Sequence, residues 1–358
     1  MSTKLSFNLH DLAKLAYEVN ASDVMIKANS RPMMKQYSQV KPLPGDWPVL
    51  DAMMVAGLLD ELMTDRQKKL FEDNYEMDLA FQVEDLCRVR TNIYRQRNAA
   101  AAVLRVIPLA VRTLEQLGLP PVMGEVTKHR QGLVLVTGPT GSGKTTTLAA
   151  LIDIINESRP CHIVTVEDPL EIVHPDKTAY ISQREIGIDT HDFQPALRAV
   201  VREAPDVILI GEMRDVTTMN VALQAGETGH LVFSTVHTSS AYETLDRIVN
   251  MFPPHEKTYL CQRLGNALKA IVAQKLVPRS DGGRIVCNEI LICTPTVTKA
   301  IEDGNFGDIY NMMNEGAFWG MQTMNQCLAR YVKAGIIAED VALNYAGVVS
   351  ELKQLLRR

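Results

Sequence analysis

The sequence predicts an α/β protein in two parts, a smaller α+β part followed by a larger one built on a parallel-rich sheet. Three observations carry this. The first third mixes helix-like segments with several strand-like stretches, of which residues 88–94 alternate arginine or polar residues with Val89 and Ile93, as antiparallel strands do, whereas the rest carries short, nearly continuous apolar runs separated by helix-like segments. Chain breakers concentrate between the two, at Pro108, Gly118, Pro120 and Pro121. The length, 358 residues, suits two domains rather than one. The expected boundaries are residues 1–110 for the first domain, 111–120 for a linker and 121–358 for the second.

Residues 9–19 place Leu9, Leu12, Leu15, Ala16 and Val19 at helical spacing, which predicts an amphipathic helix. Residues 24–26 read as a short strand ended by Asn29, Ser30 and Pro32. One helix is expected over residues 50–71, apolar at Val55, Leu58, Leu59 and Leu62. Strands are expected at 77–81, 88–94 and 103–107. In the second part the apolar runs 133–137, 163–166, 207–210, 231–233 and 285–292 are the expected strands of a sheet covered on both faces. From about residue 323 onward the pattern is helical, with Leu328, Tyr331, Val332, Leu352, Leu355 and Leu356.

Composition narrows the function. Hydrophobic residues make up 46% and charged residues 22%, enough apolar material for packed cores. A net charge of −5 speaks against a protein whose task is coating nucleic acid. No run of 18 apolar residues suggests a membrane span, and residues 1–20 lack the apolar core of a signal peptide. The expected location is the cytoplasm. Six cysteines are dispersed without a CxxC pair, so small buried hydrophobes are expected rather than disulfides or a zinc site.

One motif sets the chemistry. Gly138-Pro139-Thr140-Gly141-Ser142-Gly143-Lys144-Thr145 matches G-x-x-x-x-G-K-[ST], follows an expected strand and precedes an expected helix beginning near Thr146. Glycines let successive N–H groups turn onto phosphate oxygens, and the following helix presents its positive end. Lys144 would neutralise β- and γ-phosphate charge and the Thr145 hydroxyl would ligate Mg²⁺, so ATP and Mg²⁺ are the expected ligands. Residues 207–212 form an apolar strand ending in Glu212, with Gly211 where many such enzymes carry aspartate. The strand at 163–166 runs into Glu167, Asp168 and Glu171, at the sheet end where α/β proteins bind ligands. Glu167 is the expected functional acid. By expectation it ends the strand next to the phosphate loop. Asp168 and Glu171 stand as equally good loop caps. His230 and His237 bracket the strand at 231–236, in reach of the phosphate edge or purely structural with equal weight.

The ordered motifs (residues 138–145, the acidic box 165–171, residues 210–215 and the histidine box 227–237) resemble the type IV pilus retraction ATPases, PilT and PilU, within the secretion-ATPase superfamily. The likeness extends to residues 21–23, 88–92 and 113–120. It implies a PAS-like N-terminal domain, a RecA-like ATPase domain and a homohexameric ring at the inner face of the inner membrane. Nucleotide would lie between the domains, and turnover would power pilus retraction and twitching motility. The implied partners are an inner-membrane platform protein and a paralogous retraction ATPase. By resemblance Glu167 is the general base, Glu212 the Walker B glutamate, and His230 and His237 approach the γ-phosphate. Arg90, Arg97 and Arg105 are the candidate arginines for phosphates or a neighbouring subunit. Residues 298–304 lack both arginines of the family's A-I-R-N-L-I-R-E signature, and residues 268–274 and 320–324 look more like PilU or a secondary PilT paralogue. Lys35-Gln36-Tyr37-Ser38 replaces the family's Asp-Gly turn. The alternatives are a pilus-assembly or type II secretion ATPase, disfavoured by the missing four-cysteine zinc site, and an ATP-binding ring subunit with little turnover.

Overall fold

A computed structural model describes residues 6–36 and 39–357. The chain divides into two compact bodies, residues 1–110 and 111–358.

The first body is a six-stranded antiparallel sheet with three helices. Its strands are β1 (Asp23–Lys27), β2 (Met33–Gln36), β3 (Gln39–Pro42), β4 (Glu76–Val83), β5 (Cys87–Gln96) and β6 (Ala99–Pro108), in the order β3-β2-β1-β6-β5-β4. Helix Leu9–Glu18 starts at Asn8, whose side chain and that of Asp11 cap each other's backbone N–H. Its buried stripe of Leu9, Leu12, Ala13 and Ala16 packs against Val24, Ile93 and Leu104 of the sheet. The single helix expected at 50–71 is instead two, Ala52–Asp60 and Asp65–Asn74. Thr64 accounts for the break: with Gln67 it forms a capping box that restarts the helix, a local competitor that apolar spacing does not reveal. The hairpin β2–β3 was not expected from sequence; Tyr37 and Ser38, in the stretch that replaces the family's Asp-Gly turn, lie outside the described residues.

The second body is a seven-stranded sheet between helical layers. It comprises β7 (Gly132–Thr137), β8 (His162–Glu167), β9 (Tyr180–Glu185), β10 (Val207–Ile210), β11 (Leu231–Val236), β12 (Leu268–Pro278) and β13 (Arg284–Ile292), ordered β13-β12-β7-β11-β10-β8-β9. All pairs are parallel except β12–β13, so the run at 285–292 is an antiparallel edge strand rather than part of the parallel set. Every residue of β7, β10 and β11 is buried, which is why they carry short apolar runs without alternation, although in β11 Ser234 and Thr235 end the run. Helix Lys144–Ser158 covers one face through Leu148, Leu151 and Ile155, and helices Val216–Glu227, Ala241–Asn250 and Lys257–Ala267 cover the other. Helices Met324–Lys333 and Glu339–Tyr345 pack around Val277 and Cys287 at the β12–β13 edge. The expected linker, 111–120, belongs to this body: Leu114, Leu117 and Leu119 pack on the core, and the Tyr331 hydroxyl donates to the Gly118 carbonyl at 3.1 Å.

Candidate active site

The carboxyl ends of β7, β8, β10 and β11 share one edge of the sheet, where open α/β sheets bind ligands. At that edge β7 turns through residues 138–143 into helix Lys144–Ser158. The turn requires glycine: Gly138, Gly141 and Gly143 have φ of 146°, 77° and 92°. A Cβ on Gly138 would also stand 2.5 Å from Ser142 Oγ and from the Gln274 carbonyl oxygen. Other helices of the chain, such as those starting at Val216 and Ala241, have a side chain accepting from their first turn, but this one has none. Its free N–H groups and positive end call for an anionic acceptor, and a phosphate is one. The buried Lys144 donates from Nζ to the carbonyls of Gly138, at 2.8 Å, and Pro139, at 3.1 Å. Burial lowers its pKa, against the opposing pull of Glu212 and Glu171.

A cavity of about 530 Å³ opens over the loop. Thr140, Gly141, Gly143, Lys144, Thr145 and Thr146 line it, while Pro139 and Ser142 line a neighbouring cavity that shares Thr140 and Gly141 with it. Glu167, the last residue of β8, also lines it and is 7% exposed. Burial pushes its pKa up to about 7, against the nearby Thr165 hydroxyl and Gln183 carboxamide, which favour the carboxylate. The expectation that Glu167 ends the strand next to the phosphate loop is corrected by the sheet order. Strands β11 and β10 lie between β8 and β7, so Glu167 faces the loop across the cavity. Asp168 and Glu171 line the cavity too, with a cis Asp168–Pro169 peptide between them.

Glu212 follows β10. Its Oε2 is 2.7 Å from Arg214 Nη2 and its Oε1 3.1 Å from His237 Nε2. Burial would raise its pKa, but Arg214 and His237 outweigh burial and hold the carboxyl below its ordinary value. Gly211 has a spatial reason: a Cβ there would stand 3.3 Å from Glu167 Cα and from the Val166 carbonyl oxygen. An aspartate at that position would crowd the buried glutamate.

His237 lines the cavity, but His230 does not. The two flank β11, and strand ends face opposite edges of a sheet, so about 23 Å of extended chain separates them. The His230 ring donates from Nδ1 to the Ala225 carbonyl at 3.1 Å, a structural bond closing helix Val216–Glu227. The expectation that it approaches the phosphates is therefore corrected within this body. Arg90, Arg97 and Arg105 belong to the first body. Arg90 and Arg105 are cross-strand partners on β5 and β6, Arg105 Nε lies 3.1 Å from Asp23 Oδ1, and Arg97 shares a left-handed hairpin turn with Asn98.

Sequence reasoning assigned no role to Arg214, His174 or Gln183. Arg214 carried a signal, since a cation two residues after the strand-end glutamate returns to the same edge. His174 and Gln183 carried none, being placed by the fold of residues 168–183. His174 is 7% exposed, lines the cavity, and has no hydrogen-bond partner for Nδ1 among the described residues. Burial lowers its pKa to about 4, so the ring is neutral at pH 7. Among the described residues no cluster of three or more His, Cys, Asp or Glu forms a metal cage. Thr145 and Glu212 nevertheless offer hard oxygen donors at the edge of the phosphate loop, which fits a Mg²⁺ bound together with phosphate oxygens. No helix among the described residues is long and apolar enough to cross a membrane.

The family described as type II/IV secretion system protein matches residues 8–330. The type IV pilus retractation ATPase PilT of Pseudomonas aeruginosa is 41% identical over 341 residues, covering 95% of this chain and 98% of the relative. PilU, a type IV pilus ATPase of the same organism, is 36% identical, covering 97% and 90%. The crystal structure of the pilus retraction motor PilT with bound ADP superposes with a TM-score of 0.90 at 37% identity, covering 98% of this chain and 100% of that one. The α/β secretion-ATPase fold, the nucleotide-binding loop and likeness over nearly the full length agree: the chain belongs to the type II/IV secretion system protein family and is one of its ATPases.

Proposed function

We propose that this ATPase drives type IV pilus retraction as a homohexameric ring at the cytoplasmic face of the inner membrane, working on an inner-membrane platform protein. Likeness along nearly the whole chain to a pilus retraction ATPase carries this reading, and the buried carboxylate facing an intact phosphate loop supports it. The first body is read as the PAS-like domain and the second as the RecA-like domain. Thr298 and Glu302 stand where the retraction signature has arginines, which favours a motor of the PilU kind, or a second PilT-type paralogue, acting beside a main motor.

In this mechanism residues 138–146 hold the triphosphate. The uncapped N–H groups of helix Lys144–Ser158 donate to phosphate oxygens, and Lys144 exchanges its carbonyl partners for β- and γ-phosphate charge. Glu167 takes a proton from the attacking water as its oxygen bonds to the γ-phosphorus, and the bridging oxygen leaves with ADP. A carboxyl whose pKa sits near 7 is matched to that task at neutral pH. A bound Mg²⁺ would supply positive charge against that of the phosphate oxygens. Thr145 and Glu212 would hold it, the glutamate through water, with Arg214 and His237 fixing the Glu212 carboxylate. Arg90, Arg97 and Arg105 are the candidates for an arginine supplied across subunits of the ring. Deleting the gene tests retraction against assembly: hyperpiliated, non-twitching cells support the proposal, and bald cells overturn it in favour of an assembly ATPase.

A further inference from the structure

Gln183 sits on β9 opposite Thr165 of β8, beside the strand that ends in Glu167. Its carboxamide has three partners. Oε1 accepts from the His174 backbone N–H at 2.8 Å, Nε2 donates to the Ile172 carbonyl at 2.9 Å, and Nε2 also points at Glu167 Oε1, 3.5 Å away. The first two replace the strand pairing that residues 168–174 lack, since this segment carries no regular structure yet forms a wall of the cavity. The third is a long contact, weak in this state and well placed to tighten around a carboxylate at work.

Resting on the general-base reading above, we propose that Gln183 is a positioning residue for Glu167. One amide holds the acidic segment in place and steers the base carboxylate toward the phosphates. Glutamine suits this because it offers a donor and an acceptor at once without adding charge. Methionine has the same reach with neither group, and glutamate keeps the acceptor for His174 but adds a negative charge beside Glu167.

The groups facing Glu167 are those a pH profile must weigh. Asp168, Glu171 and the neutral His174 share its loop, and Glu185 pairs with it on β9. Lys144 stands across the cavity, with Glu212 already matched by Arg214 and His237. Gln183→Met changes none of these charges, and the titration of ATP itself is common to all variants. A difference between profiles therefore reports the Glu167 environment.

The test measures kcat/KM for Mg-ATP against pH for the full-length wild type, Gln183→Met, Gln183→Glu and Glu167→Gln, with a thermal melt of each. Losing a hydrogen bond to the charged form should move the acid limb of Gln183→Met upward by about 0.5 pH units and lower kcat about tenfold. Gln183→Glu, with a second carboxylate beside the base, should move it further in the same direction. Acid limbs that coincide with wild type, whatever the melts show, would leave Gln183 a structural residue and overturn the proposal while Glu167→Gln stays inactive. An active Glu167→Gln would overturn the base reading and this proposal together.

Discussion

Replacing Glu167 by glutamine should stabilise the second body at alkaline pH while abolishing turnover. The carboxyl is 7% exposed, and burial raises its pKa to about 7 from an ordinary 4.5. The folded chain thus binds this proton more tightly than the unfolded chain does. Stability from the group is fully present below about pH 4.5 and is lost as pH rises through about 7. At pH 8.5 the buried charge costs about 3 kcal/mol, since each tenfold change in proton affinity between the folded and unfolded chain is worth about 1.36 kcal/mol. At pH 5 the cost is less than about 1 kcal/mol. Glutamine keeps the volume and the hydrogen bonding and removes the charge. For a body of this size, about 3 kcal/mol corresponds to roughly 6–12 °C in Tm. Melting nucleotide-free wild type and variant at pH 5 and pH 8.5 reads this directly. The variant should melt higher at pH 8.5, and the gap should nearly close at pH 5. A variant that melts at or below wild type at pH 8.5 refutes the argument that burial holds this carboxyl's pKa up.

Three other outcomes follow from the same geometry. Lys144→Ala removes the cation of the phosphate loop and should lower ATP turnover at least about 100-fold, an order of loss typical for a group that stabilises transition-state charge, as read by phosphate release. Glu212→Gln should weaken the Mg²⁺ dependence of nucleotide binding as well as turnover, whereas Glu167→Gln should leave that dependence unchanged; nucleotide titrations at several Mg²⁺ concentrations separate the two. Gly211→Ala places a methyl 3.3 Å from Glu167 Cα, so steady-state kinetics should show kcat reduced about tenfold and a melt should show about 1–3 kcal/mol of lost stability from overpacking.

The phosphate loop was legible because its chemistry is local: glycines at fixed offsets, a lysine and a helix start all lie within eight positions. The buried strands β7, β8, β10 and β11 were legible because burial on both faces leaves no alternating solvent-facing position to break the apolar run. Strand order was not. Nothing local tells β8 that β10 and β11 will come between it and β7, and so the neighbours of Glu167 were misplaced. His230 was overvalued for a related reason, since its box lies close in sequence while the strand it opens carries His237 to the opposite edge. Strand β9 escaped notice because its sequence, Tyr180 to Glu185, is largely polar and only Glu185 is buried. Gln183 went unnoticed with it, its partners coming from a loop whose path depends on the whole sheet edge.

The most direct measurement of the central claim is single-turnover hydrolysis of Mg-ATP by wild type and by Glu167→Gln, with bound nucleotide recovered and identified. The wild type should convert bound ATP to ADP and phosphate. The variant should bind ATP with nearly unchanged affinity and release it uncleaved, because the phosphate loop is intact and only the proton acceptor is missing. Cleavage by the variant at close to the wild-type rate would contradict the account and make Glu212, the other carboxylate at this edge, the first residue to test as the base.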